Sequence, residues 1–207
     1  MQILNLEQGS QEWLLARMGV ATASNFSSVV TSKGELSKTL SKYALQLASE
    51  MLLNKVQDTY KNQNMQRGND LEPVARQAYQ EETLQLVDEC GFMISECKGF
   101  GYSPDGLLDN DGLIEIKCPV AATHTKYLID NKLPSEYVQQ CQGGLMVSGR
   151  KYLDFISYHP DFKDDKKLFI KRVERDEEFI EKLKVGIDKV IQLRDEYLTR
   201  IMESSDW

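Results

Sequence analysis

The order of periodic segments along the chain predicts an α/β domain with a central mixed β-sheet flanked by helices. Helical spacing of apolar residues comes first, strand-like alternation dominates the middle, and a long amphipathic helix closes the chain. No low-complexity segment, internal repeat or Pro/Ser-rich linker interrupts the 207 residues, a length that suits one domain with a full core. We therefore expect residues 1–207 to form a single domain.

The first part of the chain is predicted to be mainly helical. Residues 10–18 form a short helix with Ser10 as its N-cap and Gly19 at its end, and residues 22–30 form a second. A longer helix follows from Leu36, where apolar residues recur at intervals of three and four. Polar residues 54–64 indicate a loop, and residues 71–82 indicate the next helix.

The middle of the chain changes to a period of two. Strands are predicted for residues 83–96 around Gly91, for a hairpin-like pair over 99–117, and for 152–158 and 167–173. Helices are predicted at 123–131 and 135–147. The apolar stripe of the C-terminal helix comprises Phe179, Ile180, Leu183, Ile187, Val190, Ile191, Tyr197, Leu198 and Ile201.

The composition is that of an ordinary soluble protein, with 41% hydrophobic and 28% charged residues. The longest apolar runs are only a few residues, so we expect no transmembrane helix and no membrane partner. The N-terminus, MQILNLEQGSQEW, lacks the basic region and apolar core of a secretory signal. These features predict a cytoplasmic protein.

Cysteine and histidine usage argues against a structural zinc site and against a disulfide framework. The four cysteines form no C-x-x-C pair, and the chain has only two histidines. We expect the cysteines to be buried or half-buried free thiols. The net charge of −7 excludes a surface coated in positive charge, although it allows a local basic groove around a phosphodiester.

The most informative segment is GYSPDGLLDNDGLIEIKCP, residues 101–119. Its SPDG turn presents Asp105 at a defined position, and the alternation LIEIK predicts a strand with Glu115 and Lys117 on one face. Two carboxylates and a lysine on a rigid sheet can bind a hard divalent cation and activate a water. Because these residue types are abundant, the pattern alone also allows a surface hairpin with solvated charges.

SPDGL followed by LIEIKCP resembles the signature of the PD-(D/E)xK nuclease superfamily. More narrowly, it is similar to the phage lambda exonuclease-like family of viral recombination alkaline exonucleases. The resemblance covers nearly the whole chain, and it implies a restriction-endonuclease-like core. Further matching segments, in order, are EWLLARMGVATASNF, GNDLEPVARQAY, EYVQQCQGGLMVSG, YLDFISYHPDF and VERDEEF.

The resemblance implies roles for the residues of the central motif. Asp105 and Glu115 match the family's metal-binding carboxylates, and the main-chain carbonyl of Ile116 would add a third oxygen ligand. Lys117 matches the catalytic lysine, which would position the attacking water with its pKa lowered by the adjacent cation. Glu72 matches a further active-site carboxylate. Its alternative interpretation is an exposed helix glutamate.

Three residues of one helix and one upstream residue complete the implied catalytic region. Gln140 matches a glutamine that lines the active site, and Tyr137 lies one turn earlier on the same face. Gln142 lies one step away from that face, and Tyr137 could equally be a core residue. Met65 falls where the family places an apolar wedge that separates the DNA strands, although a packed or exposed methionine is an equal alternative.

A phosphate-binding pocket is the remaining implied site. The resemblance assigns the terminal 5′-phosphate of DNA to Arg17, to a serine matching Ser24, and to Ser103. Arginine offers a fork of donors, and Thr22 and Ser24 lie at a predicted helix start. The alternative interpretation is a surface arginine followed by an ordinary N-cap.

Together, the resemblance implies a Mg²⁺-dependent 5′→3′ exodeoxyribonuclease, with Mn²⁺ as a substitute. It would act on double-stranded DNA ends, release 5′-mononucleotides and leave a 3′ overhang. It implies a homotrimeric ring around DNA, a single-strand annealing protein as partner, and the cytoplasm of a bacterial host cell. Two alternatives stay open: a structure- or end-specific endonuclease on the same core, and a non-catalytic DNA-end-binding recombination protein.

Overall fold

The computed structural model of the protein describes residues 1–56, 63–109 and 111–203, without the side chains of residues 63–65. The side chain of Met65, the predicted wedge, therefore lies outside the described residues. The helices are α1 Gln11–Arg17, α2 Leu40–Leu53, α3 Gln63–Thr83, α4 Ala121–Asp130, α5 Val138–Ser148 and α6 Glu177–Glu203. The strands are β1 Gln2–Leu4, β2 Ala21–Thr22, β3 Phe92–Ile94, β4 Phe100–Tyr102, β5 Gly106–Leu108, β6 Gly112–Lys117, β7 Tyr152–Tyr158 and β8 Leu168–Glu174.

The predicted α/β class with mixed sheets flanked by helices is confirmed, but the strands divide between two sheets. One sheet has the order β5-β6-β7-β8, with β6 and β7 parallel and the outer pairs antiparallel. The other has the order β1-β3-β4-β2. Strand β4 was expected to pair with the motif strand β6, and it instead pairs with β2 and β3. The turn at Pro104, which has no N–H to donate, separates β4 from the β5–β6 hairpin.

The two faces of β6 are buried against different parts of the core. Leu113 packs with the main apolar cluster, which also contains Phe155 of β7 and Leu145 of α5. Ile114 and Ile116 pack on the opposite face, in the cluster that α3 covers. The predicted alternation is therefore confirmed. Because both faces are covered, the charged residues between these apolar side chains are not displayed on an open surface.

Helix α3 begins earlier than the sequence predicts. It starts at Gln63 instead of residue 71 and continues through Gly68 and Pro73, two residues that disfavour helix interiors. Residues 57–62 of the predicted 54–64 loop lie outside the described residues. Pro73 faces solvent, whereas Ala75 and Tyr79 are completely buried against the sheet. Burial of this face outweighs the local preference to end the helix.

Several short elements also differ from the prediction. Residues 22–30 contain a 3-10 helix, Ala23–Ser28, in place of an α-helix. Within residues 83–96 the only regular strand is β3, and Asp88 adds one isolated bridge to Leu107 of β5. Strands β1 and β2 were not predicted, because elements of two or three residues are too short to show periodicity.

The helices and the cysteines bear on two expectations from composition. No helix in the described ranges is long and apolar enough to cross a membrane. All four cysteines are free thiols, with Cys141 buried and Cys90 and Cys118 half-buried. Cys97 is exposed, which corrects the expectation that every thiol would be at least half-buried.

Candidate active site

One cavity of about 650 Å³ collects the residues that the sequence analysis selected. Its wall is built from α1, α3, the 3-10 helix, the segment around Asp105, the end of β6, and the beginning of α5. The predicted residues that line it are Arg17, Thr22, Ser24, Glu72, Ser103, Asp105, Glu115, Ile116, Lys117, Tyr137 and Gln140. Residues far apart in sequence therefore meet at one place.

Glu115 lies at the centre of a network of three donors. Its side chain is only 2% exposed. Oε1 accepts hydrogen bonds from Lys117 Nζ and from Gln140 Nε2, both at 2.5 Å. Oε2 accepts from the hydroxyl of Tyr102 at 2.8 Å. These charge-assisted hydrogen bonds fix the carboxylate and offset the cost of its burial.

Tyr102, which the sequence analysis missed, owes its position to a glycine on α5. A Cβ at Gly144 would lie 2.8 Å from the Tyr102 ring, so the close approach requires glycine there. Burial raises the pKa of Tyr102 well above its ordinary value, and the nearby Glu115 charge acts in the same direction. The hydroxyl therefore stays protonated and remains a donor to Glu115.

Asp105 is buried beside Glu115. Its Oδ2 accepts the backbone N–H of Ile116 at 2.6 Å, which ties the SPDG turn to β6. Burial raises the pKa of Asp105 well above its ordinary range, and the negative charge of Glu115 raises it further. Two carboxyl groups held so close in a buried site repel each other when both are ionised. A positive charge between them would relieve that repulsion.

Lys117 supplies one positive charge at this site. Burial alone would lower its pKa, but the carboxylates of Glu115 and Asp105 outweigh burial and raise the pKa above the ordinary value. The ammonium group therefore stays charged, and it lies 5.4 Å from the ring centroid of Tyr137. The lowered pKa expected beside a bound cation stays a prediction.

Glu72 is held at the cavity wall by an arginine that the sequence analysis did not identify. Its Oε1 accepts from Arg76 Nη2 at 2.7 Å, one turn along α3. Arg76 also donates to the main-chain carbonyl of Asp105 at 3.0 Å and to Glu89 at 2.8 Å. Burial raises the pKa of Glu72, although Arg76 opposes the shift. Arg76 thus joins α3 to the turn that carries Asp105.

The chemistry of the donors fits a hard divalent cation. Asp105, Glu115 and the main chain of Ile116 offer only oxygen ligands, which suit Mg²⁺ or Mn²⁺. Among the described residues, no three His, Cys, Asp or Glu side chains are grouped so that they could hold a metal. Glu72, the further carboxylate on the cavity wall, is engaged by Arg76. The repulsion between the two buried carboxylates is the feature that a cation would remove.

The predicted phosphate pocket lies in the same cavity. Arg17 Nη1 donates to Ser103 Oγ at 3.4 Å, and the indole N–H of Trp13 donates to the same oxygen at 2.9 Å. The Arg17 guanidinium stacks 3.9 Å from the Trp13 ring centroid. Burial lowers the pKa of Arg17 to about 10, so the group is still charged at neutral pH. Trp13 therefore orients both predicted phosphate-binding side chains.

The hydroxyls of Thr22 and Ser24 lie 3.3 Å apart on the same cavity wall. Asn25 donates to Thr22 Oγ1 at 3.1 Å, and the backbone N–H of Thr22 donates to Tyr43. The N–H of Thr22, the N-cap residue, is therefore already used. The hydroxyl groups of Thr22 and Ser24 lie on the cavity wall.

The glutamines of α5 have different environments. Gln140 faces the cavity and donates to Glu115. Gln142 faces away, where it donates to the Glu174 carbonyl and accepts from the Asp176 N–H. Gln142 therefore connects α5 to the segment before α6, and it does not line the cavity.

Residues 12–151, which contain the cavity-lining residues from Trp13 to Gln140, match the model of the YqaJ-like viral recombinase domain. The chain belongs to this family. The resemblance to viral recombination exonucleases is thereby confirmed. No curated protein matches the chain.

Solved structures place this YqaJ-like domain beside bacterial and phage-related exonucleases. An alkaline exonuclease (LHK-Exo) from Laribacter hongkongensis is 34% identical, with a TM-score of 0.87 over 95% of this chain and 98% of that one. The same enzyme in complex with dAMP has a TM-score of 0.84 and covers 93% of this chain and 96% of that one. A phage-related exonuclease from Haemophilus somnus 129PT is 15% identical, with a TM-score of 0.70 over 88% of this chain and 96% of that one. At this identity the match shows the shared fold alone.

The site residues of this YqaJ-like domain that sequence reasoning missed are supporting residues. Trp13 orients Ser103 and Arg17, Tyr102 holds Glu115, and Arg76 holds Glu72. A fourth, Arg67, also lines the cavity. The available signal was their proximity to the recognised motifs: Arg76 lies one turn after Glu72, and Tyr102 directly precedes the SPDG turn.

Proposed function

We propose that this chain is a Mg²⁺-dependent 5′→3′ exodeoxyribonuclease acting on the ends of linear double-stranded DNA, with Mn²⁺ as a substitute cation. It releases 5′-mononucleotides and leaves a 3′ single-stranded overhang. The observation that carries the proposal is the cluster of buried Asp105 and Glu115 with half-buried Lys117, at the wall of a cavity that also holds Arg17 and Ser103.

Family membership and the solved relative support a role as a DNA exonuclease. The relative at 34% identity is an alkaline exonuclease, and its match extends over nearly the whole length of both chains. Its complex with dAMP shows that the relative accommodates a deoxynucleoside monophosphate. A ligand of that size is the product expected when single nucleotides are removed from a DNA end.

Asp105, Glu115 and the carbonyl of Ile116 are the groups that would hold the cation. When bound, the cation supplies Lewis acidity to the scissile phosphate and lowers the pKa of the attacking water. The residues of the chain supply a fixed arrangement around it, because Tyr102 and Gln140 hold Glu115 and the Ile116 N–H holds Asp105. Because these groups are already held in place, binding of the cation would cost little free energy of reorganisation.

Lys117 is the residue that positions the attacking water in this proposal. Its ammonium group donates to Glu115 within the cavity, so it lies next to the groups that would hold the cation. From there it can donate to the water or to a non-bridging phosphate oxygen during in-line attack. Gln140, which donates to the same Glu115 oxygen, keeps that carboxylate oriented when Lys117 turns toward substrate.

The pocket around Arg17 would set the 5′→3′ direction of digestion. Arg17, Ser103 and the hydroxyls of Thr22 and Ser24 would bind a terminal 5′-phosphate. Anchoring that phosphate sets which phosphodiester reaches Asp105 and Glu115. The enzyme would therefore cut a fixed distance from a 5′ end and would require an end to act.

We further propose a homotrimeric assembly and a partner protein. A homotrimeric ring around DNA would allow many successive cleavages per binding event, and it would reconcile the net charge of −7 with a DNA-binding interior. Met65 would act as the wedge between the strands. A single-strand annealing protein would load onto the 3′ overhang, within the cytoplasm of a bacterial host. Sedimentation that gives only a monomer at working concentration would reject the ring.

Digestion of matched linear and covalently closed DNA tests the activity. With Mg²⁺, the linear duplex should be shortened from its 5′ ends to mononucleotides, and the closed circle should stay intact. EDTA, or the substitution Asp105→Asn, should stop the reaction. Cleavage of the circle would favour an endonuclease, and stable binding of ends without cleavage would favour a non-catalytic end-binding protein.

A further inference from the structure

The active-site cavity has a second arginine, Arg67, on the first turns of α3. Its Nη1 donates to the main-chain carbonyls of Cys118 at 2.9 Å and Pro119 at 3.1 Å. These residues directly follow Lys117 at the end of β6. Arg67 is therefore anchored beside the catalytic strand, whereas Arg17 is anchored beside Ser103, before Asp105.

The charge environment of Arg67 differs from that of the other cations near the site. Lys117 is paired with Glu115, and Arg76 is paired with Glu72 and Glu89. The acceptors of Arg67 are neutral carbonyls, and no ion pair to Arg67 is found in the part of the chain that the structure describes. A guanidinium has five N–H donors, of which Nη1 carries only two. Arg67 therefore keeps an uncompensated charge and a free edge of donors.

The wall beside Arg67 has open space at Gly68. Gly68 also lines the cavity, and a Cβ built there would meet no atom of the described residues within 4 Å. Asn69, the next residue in the wall, is exposed. Residues 67–69 of α3 thus offer one anchored guanidinium group beside open space and a neutral polar side chain.

We infer that Arg67 binds an internal backbone phosphate of the DNA, at a position separate from the terminal 5′-phosphate at Arg17. The inference rests on the proposed nuclease function and adds a second phosphate contact to it. A guanidinium fixed by carbonyls on one edge presents its other edge for a bidentate contact with phosphate oxygens. This contact would hold the strand on the Lys117 side of the site while Arg17 holds its end.

The substitution Arg67→Gln tests the contact, since glutamine keeps an N–H donor for the carbonyls of Cys118 and Pro119 but removes the charge. Arg150→Gln is the matched control: Arg150 also donates to main-chain carbonyls, those of Leu108, Asp109 and Gly112, but lies outside the cavity wall. Equilibrium binding of a linear duplex would be measured by fluorescence anisotropy in EDTA across a salt series.

Loss of one phosphate contact should reduce the slope of log K against log salt by about 0.9 in magnitude. Arg67→Gln should show this change with both 5′-phosphorylated and 5′-hydroxyl duplexes, and its preference between the two ends should stay that of the wild type. Arg150→Gln should keep the wild-type slope. If Arg67→Gln fails to fold, Arg67→Lys is measured instead. It should keep the wild-type salt slope because the charge is kept, and it should bind DNA more weakly than the wild type because lysine lacks the fork of donors.

An unchanged slope in Arg67→Gln overturns the inference, and so does an effect confined to 5′-phosphorylated DNA, which would assign Arg67 to the terminal pocket. The wild-type protein separates this failure from failure of the proposed function. If the wild type neither binds nor digests linear DNA, the proposed function itself fails. If the wild type digests DNA normally and only the Arg67 result is negative, the second contact alone is rejected.

Discussion

Lys117 and Glu115, two residues apart on strand β6, form a hydrogen-bonded ion pair of 2.5 Å at the wall of the cavity. Strand periodicity places both side chains on the same face, and the apolar residues between and before them anchor the other face to α3. Burial of Glu115 makes the pair short and fixed. This relationship underlies the proposal that one strand contributes both a cation ligand and the residue that positions the water.

Removal of the Lys117 ammonium should abolish cleavage while DNA binding persists. We expect Lys117→Ala to lower the cleavage rate by about 10²–10³-fold, the usual cost of removing one preorganised hydrogen-bond donor from a reaction site. Cleavage would be followed by release of acid-soluble nucleotides and binding by anisotropy. Lys126→Ala is the control, because Lys126 is an exposed lysine of α4 paired with Asp130. Retained turnover in Lys117→Ala would remove Lys117 from the mechanism.

Arg17 should determine the preference for a 5′-phosphate. Loss of a charged hydrogen-bonding partner should reduce the advantage of phosphorylated over hydroxyl ends by roughly ten- to a hundred-fold in Arg17→Ala. Initial rates on two duplexes that differ only in the 5′ group measure this ratio. A wild-type enzyme that shows no preference, or an Arg17→Ala variant that keeps it, would leave the pocket without support.

The hydrogen bond between Tyr79 and Asp154 should stabilise the packing of α3 on the sheet. The Tyr79 hydroxyl donates to Asp154 Oδ2 at 2.7 Å, and both side chains are buried. Arg172 also donates to both carboxylate oxygens, so Asp154 stays paired in Tyr79→Phe. We therefore expect the free energy of unfolding to fall by about 1–2 kcal/mol in urea titrations. An unchanged midpoint would show that the bond adds no net stability.

His124 should make the fold sensitive to mild acid. Burial lowers the pKa of His124 below its ordinary value, although the carbonyl of Lys166 opposes the shift. That carbonyl, 2.8 Å from Nε2, requires a proton on Nε2, so Nδ1 accepts from Ser157 in the neutral ring. The unfolded chain binds the proton more readily, so the stability due to His124 is present above the unfolded pKa and declines as pH falls toward the folded pKa.

Urea unfolding of the wild type and His124→Gln at pH 7.5 and pH 5.5 measures this linkage. The wild type should lose more stability than the variant over that interval, by at most about 1.4 kcal/mol per pH unit. Parallel stability curves for the two proteins would show that His124 does not contribute to the acid sensitivity.

Local pattern was sufficient to predict the central strand of the site. Alternation in LIEIK gave the faces of Glu115 and Lys117, and the SPDG turn gave the position of Asp105. The division of strands into two sheets was not predictable, because the pairing of β4 with β2 joins Ala21 to Phe100, residues far apart in the sequence. The start of α3 was missed for a related reason: buried packing of Tyr79 stabilises a helix whose sequence contains Gly68 and Pro73.

The supporting residues lie near the recognised motifs, but proximity alone does not assign them a role. Trp13, Tyr102 and Arg76 belong to residue types that occur throughout proteins, and none lies in a spacing that indicates chemistry. Their roles depend on the folded positions of their partners, such as the glycine at 144 that admits the Tyr102 ring. Motifs identify the groups that react, whereas the groups that orient them become visible only in three dimensions.

Isothermal titration of the protein with Mn²⁺ or Mg²⁺, in the absence of DNA, tests the central claim most directly. The wild type should bind the cation with measurable heat. Glu115→Gln and Asp105→Asn, if they retain the wild-type fold by circular dichroism, should lose that heat. No heat in the wild type, or equal heat in both folded variants, would contradict a cation site formed by Asp105 and Glu115.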